Sequence, residues 1–430
     1  MLNNPRSHGL WEVTAPPAPA TTVLSSEIVA DVVVVGAGFT GLSTALHLAE
    51  RGISVIVLEA AEIGYGAAGR NVGLINGGMW VMPDDIPGVL GQEHGERALR
   101  LLGEAPLLVR EVISKYGIPC ELETNGTLHL AVGEAGVQEL KERHRQWTVR
   151  GAPLEFLDRE ETGRRVGSDA YSASLFDPRA GTLQPLAYVR GLASAAMQNG
   201  VKIFTQTAAM ETERHGRSWT VKSERGSVTA NWIVVATDAY STGPWKQVRQ
   251  EQVFLPYFNF ATRPLSANLR KAVLPNLEGC WDTKQILSSF RMDQQGRLVF
   301  GSVGALRNTG HAVHKAWAKR SLARIFPQLG DVEFEAEWYG NIGMTTDAVP
   351  RFHQFAENVV GFSGYNGRGI APGTAFGKTL ASLIAGEVGI ADLPLPASAI
   401  AIPRARSLQE AYYEAGAQIA HLTGERLQPR

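Results

Sequence analysis

Hydrophobic residues fall into two rhythms along this chain, short unbroken runs and longer stretches at helical spacing. Val32, Val33, Val34 and Val35 are apolar at every position, the pattern of a strand covered on both faces. The run ends at Gly36, and the residues from Gly38 to about Arg51 predict a helix. Val57 and Leu58 close a second strand that ends on Glu59. Residues 95–116 set Ala98, Leu101, Leu102, Ala105, Leu108, Val109 and Val112 at helical spacing, and Pro106 among them predicts a kink or a break. A strand is expected at 126–131 and a helix at 133–150. Pro185 suits the first turn of a helix that Gly200 ends, with a strand at 201–204 behind it. A hairpin is expected around Arg225 and Gly226, joining 219–223 to 227–230, followed by a separate buried strand at 232–238. From 253 to 304 the pattern turns to β, with strands expected at 254–262, 285–292 and 297–301. A helix at 314–326 stops before Pro327, a strand at 359–362 leads into a glycine-rich loop at 364–373, and a helix follows at 374–385. A last amphipathic helix, 407–422, is expected on the body or at a dimer contact.

The α/β signals come in three separated blocks, with sheet-rich inserts between them. This layout predicts an N-terminal arm at 1–27, a nucleotide-binding domain assembled from 28–90, 181–245 and 340–392, a second domain from 91–180 and 246–339, and a C-terminal extension at 393–430. In the arm, Trp11 is expected to be anchored by packing. A nicotinamide dehydrogenase of the common kind completes its nucleotide domain in one stretch, whereas a chain that returns to it at the end looks more like a flavoprotein.

Bulk composition narrows the function by exclusion. The 430 residues are 44% hydrophobic and 19% charged, as in an ordinary globular protein, and the net charge is −1. That balance argues against nucleic acid or an anionic membrane as the main partner. The two cysteines, Cys120 and Cys280, make no disulfide framework, are expected to be buried and inert, and point to a reducing compartment. No signal peptide and no apolar stretch near the ~18 residues of a membrane span is evident, so the expected location is the cytoplasm. A homo-oligomer is compatible with this composition.

The glycines after the first strand carry chemistry. Gly36 permits a tight turn, Gly38 lets the backbone approach a pyrophosphate, and Gly41 lets the helix lie close to the strand. The start of that helix points unpaired N–H groups and a positive dipole end at the phosphates. Glu59, about 20 residues on, is placed to accept from ribose hydroxyls. Strand, turn, helix and acid together predict an adenine dinucleotide, without separating FAD from NAD.

Four stretches go further. They are Val35-Gly36-Ala37-Gly38-Phe39-Thr40-Gly41-Leu42-Ser43, Gly64-Tyr65-Gly66-Ala67-Ala68-Gly69-Arg70-Asn71-Val72-Gly73, Ala236-Thr237-Asp238-Ala239-Tyr240, and Gly361-Phe362-Ser363-Gly364-Tyr365-Asn366-Gly367-Arg368-Gly369. In this order the chain resembles the D-amino-acid oxidase-like (DAO) superfamily of FAD-dependent oxidoreductases, in particular its gamma-glutamylputrescine oxidoreductase-like branch. The resemblance spans roughly 28–392. It implies an α/β fold in which a Rossmann-type, glutathione-reductase-like FAD-binding domain is interleaved with an α+β substrate domain built on an antiparallel sheet.

It also implies residue roles. Gly36, Ala37, Gly38, Phe39, Thr40 and Gly41 would hold the pyrophosphate, and Glu59 with Ala60 the adenosine ribose. Ala67, Ala68, Gly69, Arg70, Asn71, Val72, Gly73 and Leu74 would run past the flavin side, and Ala209 would reach adenine. Ala236 and Thr237 would close the same cleft. Gly340 and the loop Gly367, Arg368, Gly369, Ile370 and Ala371 would sit under the pyrimidine edge of the ring, where a helix starting near Pro372 offers its N–H groups to negative charge. Two departures matter. Ala371 stands where sarcosine-type relatives carry a lysine for the substrate carboxylate, and no cysteine lies between Trp338 and Pro350 to attach FAD, so FAD is expected to be noncovalent.

The implied activity is oxidation of the C–N bond of an amine or amino acid, with hydride transfer to flavin, imine hydrolysis and reoxidation by O2 to hydrogen peroxide. A dehydrogenase serving a quinone or protein acceptor, and a flavin-bearing subunit of a larger complex, are the alternatives. No hydrolytic triad and no metal-ligand spacing is evident. Lys284 is the candidate for oxygen activation. Tyr257, Tyr365, Asn366 and His129 are candidates for the substrate pocket, and Arg291 or Arg368 for pairing a substrate carboxylate. His47 and His353 are expected on the surface, and Asp347 is expected to organise its own loop.

Overall fold

The computed structural model describes residues 7–424. Its first sheet runs Arg351–Ala356, Val359–Ser363, Ser227–Val235, Glu27–Val35, Val55–Leu58, Lys202–Phe204, and a hairpin of Glu211–His215 and Ser218–Lys222 attaches to Ser227–Val235. The apolar valine run lies at its centre. Val32 to Val35 pair in parallel with Trp232 to Val235 on one side and with Val55 to Leu58 on the other. The expected hairpin arm and buried strand are one element, Ser227–Val235, with no break between them.

The fingerprint helix Phe39–Ala49 and the helix Ile370–Ile384 pack against each other on one face of this sheet. They approach closely: Ser43 Oγ donates to Thr374 O at 2.7 Å, and a Cβ on Gly377 would lie 2.5 Å from Ser43 Cβ. His47, expected on the surface, is buried here at 5% exposure with its ring on Ser43 O. His353 is buried too, between Glu251 and Ser398 O. Both lie under segments distant in sequence, which local polarity does not reveal.

The second sheet runs Phe334–Met344, Val253–Thr262, Leu298–Val303, Ser288–Met292, Gly279–Asp282, Thr127–Ala131, Ala173–Asp177, Glu155–Leu157. It is antiparallel except where Gly279–Asp282 joins Thr127–Ala131 in parallel. Phe258, Phe260, Phe290 and Phe300 form its core with Trp317 and Phe326 from the helical layer behind. The long strand Phe334–Met344 pairs along Val253–Thr262. Gly340 to Met344 therefore belong to this sheet, and the chain returns to the first sheet only at Arg351.

Pro106 does not break its helix, which runs unbroken over Gln92–Tyr116. A proline cannot donate to the carbonyl four residues back. Here that carbonyl, Leu102 O, accepts from the Gly78 N–H at 2.8 Å. The arm is not wholly irregular either. A short helix, Leu10–Thr14, seats Trp11 in full burial, edge-on to Trp338 at 5.2 Å. The C-terminal helix Arg406–Thr423 lies on the body, tied by Glu410 to Arg249, by Glu414 to Arg307, and by His421 to His314. No helix among the described residues is long and apolar enough to cross a membrane.

Candidate active site

A continuous cavity of about 660 Å3 lies between the two sheets. On the side of the first sheet it begins at the fingerprint turn. Gly36 has a φ of 109°, and a Cβ there would stand 2.7 Å from Ala236 O. The turn is closed from below by Gly41, where a Cβ would lie 2.0 Å from Gly36 O. Gly38 is different. A Cβ on it would meet only Ala68 Cβ, at 3.9 Å, so its surroundings are an open cradle. The first N–H groups of Phe39–Ala49 have no intrahelical acceptor and stand over that cradle.

Glu59 ends the second strand and lines the same cavity. Its two oxygens accept from the N–H groups of Ala37 at 2.8 Å and Ala61 at 2.9 Å, which leaves a lone pair on each for a hydroxyl donor. Burial raises its pKa. Ala60, Ala209, Ala236 and Thr237 complete this part of the wall.

The loop from 64 to 74 supplies Ala67, Ala68, Arg70, Asn71, Val72 and Leu74. It is held from behind. Trp338 Nε1 and Asn259 Nδ2 both donate to Arg70 O, at 3.0 and 3.2 Å, and Trp11 Nε1 donates to Asn71 O at 2.9 Å. Of the residues assigned to the cofactor, Gly41, Gly69 and Gly73 do not line the cavity. They are packing positions: a Cβ on Gly69 would strike Gly64 O at 2.4 Å, and one on Gly73 would strike Leu183 O at 2.0 Å.

The third contribution is the loop before Ile370–Ile384. Gly340, Gly367, Arg368, Gly369, Ile370 and Ala371 all face the cavity. The helix starts at Ile370, earlier than Pro372, so the proline falls in the first turn, where its missing N–H leaves no gap in the helical ladder. Asn366 has a φ of 52°, its Oδ1 accepts from Thr345 N at 2.8 Å, and its carbonyl accepts from Trp80 Nε1 at 2.6 Å. Asp347 holds its own loop through Val349 N and Arg351.

The second sheet forms the opposite wall with Leu255, Tyr257, Trp281, Leu287, Ser289 and Val303. Tyr257 and Ser289 share a hydroxyl hydrogen bond of 2.7 Å, and burial raises the Tyr257 pKa, so the phenol stays neutral. Three sequence candidates are elsewhere. His129 does not line the cavity: Trp281 on the neighbouring strand stacks flat on it at 3.4 Å and is the ring that faces the cavity. Arg291 is 1% exposed beneath Trp11, donates to Leu183 O, and has Glu121 at 3.8 Å, so it reaches no substrate space. Lys284 lies outside the lining although Gln285 and Leu287 are in it. Trp281 faces the cavity, alternation turns Asp282 away, and the Lys284 charge acts on that buried carboxylate, whose pKa is raised to about 6 by its burial.

Trp80, Trp281, Tyr240 and Ser289 are lining residues that sequence reasoning did not single out. Trp80 and Trp281 meet edge to face at 5.1 Å and share one side of Arg368, whose guanidinium carbon is 4.7 Å from each ring centroid. Cys120 and Cys280 are buried and neither lines the cavity.

An apolar-walled cavity with a phosphate-type cradle at a strand–turn–helix junction, a ribose-type acid and a second helix N-terminus is the donor set an FAD molecule needs. A family model for FAD dependent oxidoreductases, DAO, matches residues 31–383. The chain belongs to this family of FAD-dependent enzymes. It is 33% identical over 380 residues to gamma-glutamylputrescine oxidoreductase of Escherichia coli, covering 86% of this chain and 87% of that protein. It is 32% identical over 366 residues to the probable oxidoreductase OrdL of Haemophilus influenzae, covering 83% of each. Among solved structures it is similar in fold to the L-amino acid deaminase of Proteus myxofaciens, with a TM-score of 0.71 at 18% identity over 88% of this chain and 94% of that one. Glycine oxidase of Geobacillus kaustophilus matches with a TM-score of 0.68, 18% identity, and coverage of 88% and 99%.

Proposed function

We propose that this protein oxidises the C–N bond of an amine or amino acid and delivers the electrons to O2. The observation that carries the reading is the shared cavity, into which the cradle at Gly38, the helix start at Ile370 and the apolar second-sheet wall all open. The relatives' activities toward gamma-glutamylputrescine and glycine, as their names give them, support the same class of donor.

FAD would be held noncovalently. The N–H groups at Gly38, Phe39 and Thr40 would take the pyrophosphate, Glu59 the ribose, and the Ile370–Ile384 helix start the electron-rich edge of the ring. The flavin, when bound, supplies the acceptor for a hydride from the carbon bearing the nitrogen, with O2 reduced to hydrogen peroxide in turn. The chain's own part is placement and exclusion of water. Leu255, Leu287 and Val303 form a dry wall, and the Tyr257–Ser289 hydroxyl pair offers a fixed donor to the substrate. The amine reacts as the neutral base, so no acid–base dyad is required. The imine leaves for bulk water, where hydrolysis yields the carbonyl product.

The test is a peroxide-release screen of the purified yellow protein across primary amines, N-substituted glycines and D-amino acids. Flavin reduction with peroxide release by one class supports the oxidase. Reduction that air reverses only slowly shifts the reading to a dehydrogenase. A folded protein that binds no flavin refutes it.

A further inference from the structure

Behind the flavin-side loop, the arm brings together three side chains that can ligate a metal. His8 stands just ahead of the short helix Leu10–Thr14, Glu12 lies within that helix, and Glu62 leads into the loop from 64 to 74. One ligand atom from each of the three lies within 4.8 Å of the other two. None of the three lines the cavity.

His8 is the fixed member. It is 2% exposed, and a Cβ on Gly69 would lie 2.7 Å from its Cδ2, so the ring has no room to turn. Its Nε2 stands 3.2 Å from Gly64 O. A carbonyl oxygen can only accept, so Nε2 carries the ring proton and Nδ1 keeps a lone pair. That lone pair faces two acceptors, Glu12 Oε2 at 2.9 Å and Glu62 Oε1 at 3.7 Å. Partial burial works against the charge on Glu12, but hydrogen bonds with His8 and Arg190 win and hold its carboxyl below the usual range. Three electron-pair donors therefore converge, two of them from carboxylates. A second ring proton, on Nδ1, would satisfy Glu12 but would fall short of Glu62, which is beyond hydrogen-bond reach. A metal ion placed among the three satisfies them all.

The donor set and its spacing suit such an ion. Ligands ~2.0–2.2 Å from zinc at tetrahedral angles stand roughly 3.3–3.6 Å apart, and the separations of 2.9 and 3.7 Å from Nδ1 bracket that range. One imidazole with two carboxylates is a borderline ligand set that zinc accepts. The outer contacts are those of a ligating group. The far ring N–H of His8 is held by a backbone carbonyl, and Arg190 binds the other oxygen of Glu12 at 3.0 Å. Glu62 is 53% exposed, so water can complete the shell on that side.

We propose that His8, Glu12 and Glu62 form a site for a divalent transition-metal ion of the zinc type, which pins the arm to the entrance of the flavin-side loop. The site lies outside the cavity and does not depend on the amine-oxidising reading. Trp11 already ties the arm to Asn71 further along that loop. An ion at Glu62 adds a second tie at its beginning. In the sequence only His8 and Glu12 show a spacing, four residues apart, and Glu62 joins them through the fold.

Zinc chloride is titrated by calorimetry into tag-free holoenzyme previously treated with EDTA. One equivalent is expected to bind with a Kd below about 100 µM. E62Q, whose side chain is largely exposed, is expected to fold and to bind at least tenfold more weakly, and H8Q likewise. Saturating zinc is expected to raise the temperature at which released FAD becomes fluorescent by about 3 °C or more in the parent protein and by less than about 1 °C in E62Q. If H8Q does not fold, E62Q decides alone. No zinc binding by the parent below about 100 µM, an affinity that E62Q leaves within about twofold, or an FAD-release temperature that zinc does not move would each overturn the proposal.

Discussion

Thr40 Oγ1 and Tyr365 OH meet at 2.5 Å, and this bond joins the first turn of the fingerprint helix to the glycine loop near the other end of the sequence. Both residues line the cavity, and burial keeps the Tyr365 phenol neutral by raising its pKa. The two loops that would grip opposite halves of one cofactor are thus fixed relative to each other before it arrives. Removing the hydroxyl leaves Thr40 Oγ1 buried with one partner fewer. Tyr365→Phe is expected to cost about 1 kcal/mol of stability and to weaken FAD binding several-fold. Urea unfolding with fluorimetric FAD titration of the apoprotein measures both, and unchanged FAD affinity would show that the loops are held by other contacts.

Gly38 and Gly41 separate cofactor binding from folding. A methyl on Gly41 would collide with Gly36 O, which is backbone and cannot turn aside. Gly41→Ala is expected to lose more than about 3 kcal/mol and to accumulate as insoluble chain. A methyl on Gly38 meets no close neighbour in the protein, and the φ of −92° suits alanine. Gly38→Ala is expected to fold with an apoprotein Tm within a few degrees of the parent and to come off a column colourless. A yellow Gly38→Ala protein would place the phosphates elsewhere.

His314 and His421 contact each other through Nδ1 at 2.7 Å, with His421 stacked on Trp317 at 3.8 Å. Burial keeps both neutral, with pKa values lowered to about 4 and about 3. A histidine in the unfolded chain protonates near pH 6.5, so the unfolded state binds these protons first as pH falls. The stability involved is complete above pH 6.5 and is lost progressively from there down to about pH 3. Between pH 7 and pH 4 each ring is expected to cost on the order of 3 kcal/mol, about 6 kcal/mol for the pair. His421→Phe preserves the stacked ring and removes one titrating group, so its unfolding free energy should fall less steeply over the same interval. Parallel pH profiles for the two proteins would assign the acid sensitivity to carboxylates.

The parts of the site legible in the sequence were those governed by near neighbours. Gly36, Gly38 and Glu59 carry their geometry in a single strand–turn–helix–strand unit, and the helix that opens at Ile370 was misplaced by only a few residues. The second wall was less legible because its geometry is set across strands. His129 and Trp281 are far apart in sequence and become neighbours through one parallel pairing in an otherwise antiparallel sheet. Arg291 and Arg368 are equally plausible as cations on paper. Only the arm over one and the cavity in front of the other distinguish them. The strand Phe334–Met344 escaped notice because its burial does not alternate regularly, and the break expected at Pro106 was averted by a donor from Gly78.

Trp11 lies far ahead of Trp338 in the order of synthesis, yet its ring rests on Trp338 and its N–H on the carbonyl of Asn71. The arm can settle only after most of the chain has been synthesised. The loop of Arg70 and Asn71 waits with it, since Trp338 also holds Arg70 O. Cofactor capture in the cell is therefore a late event, and a nascent chain arrested before Trp338 would carry a complete fingerprint turn with the flavin-side loop still untethered.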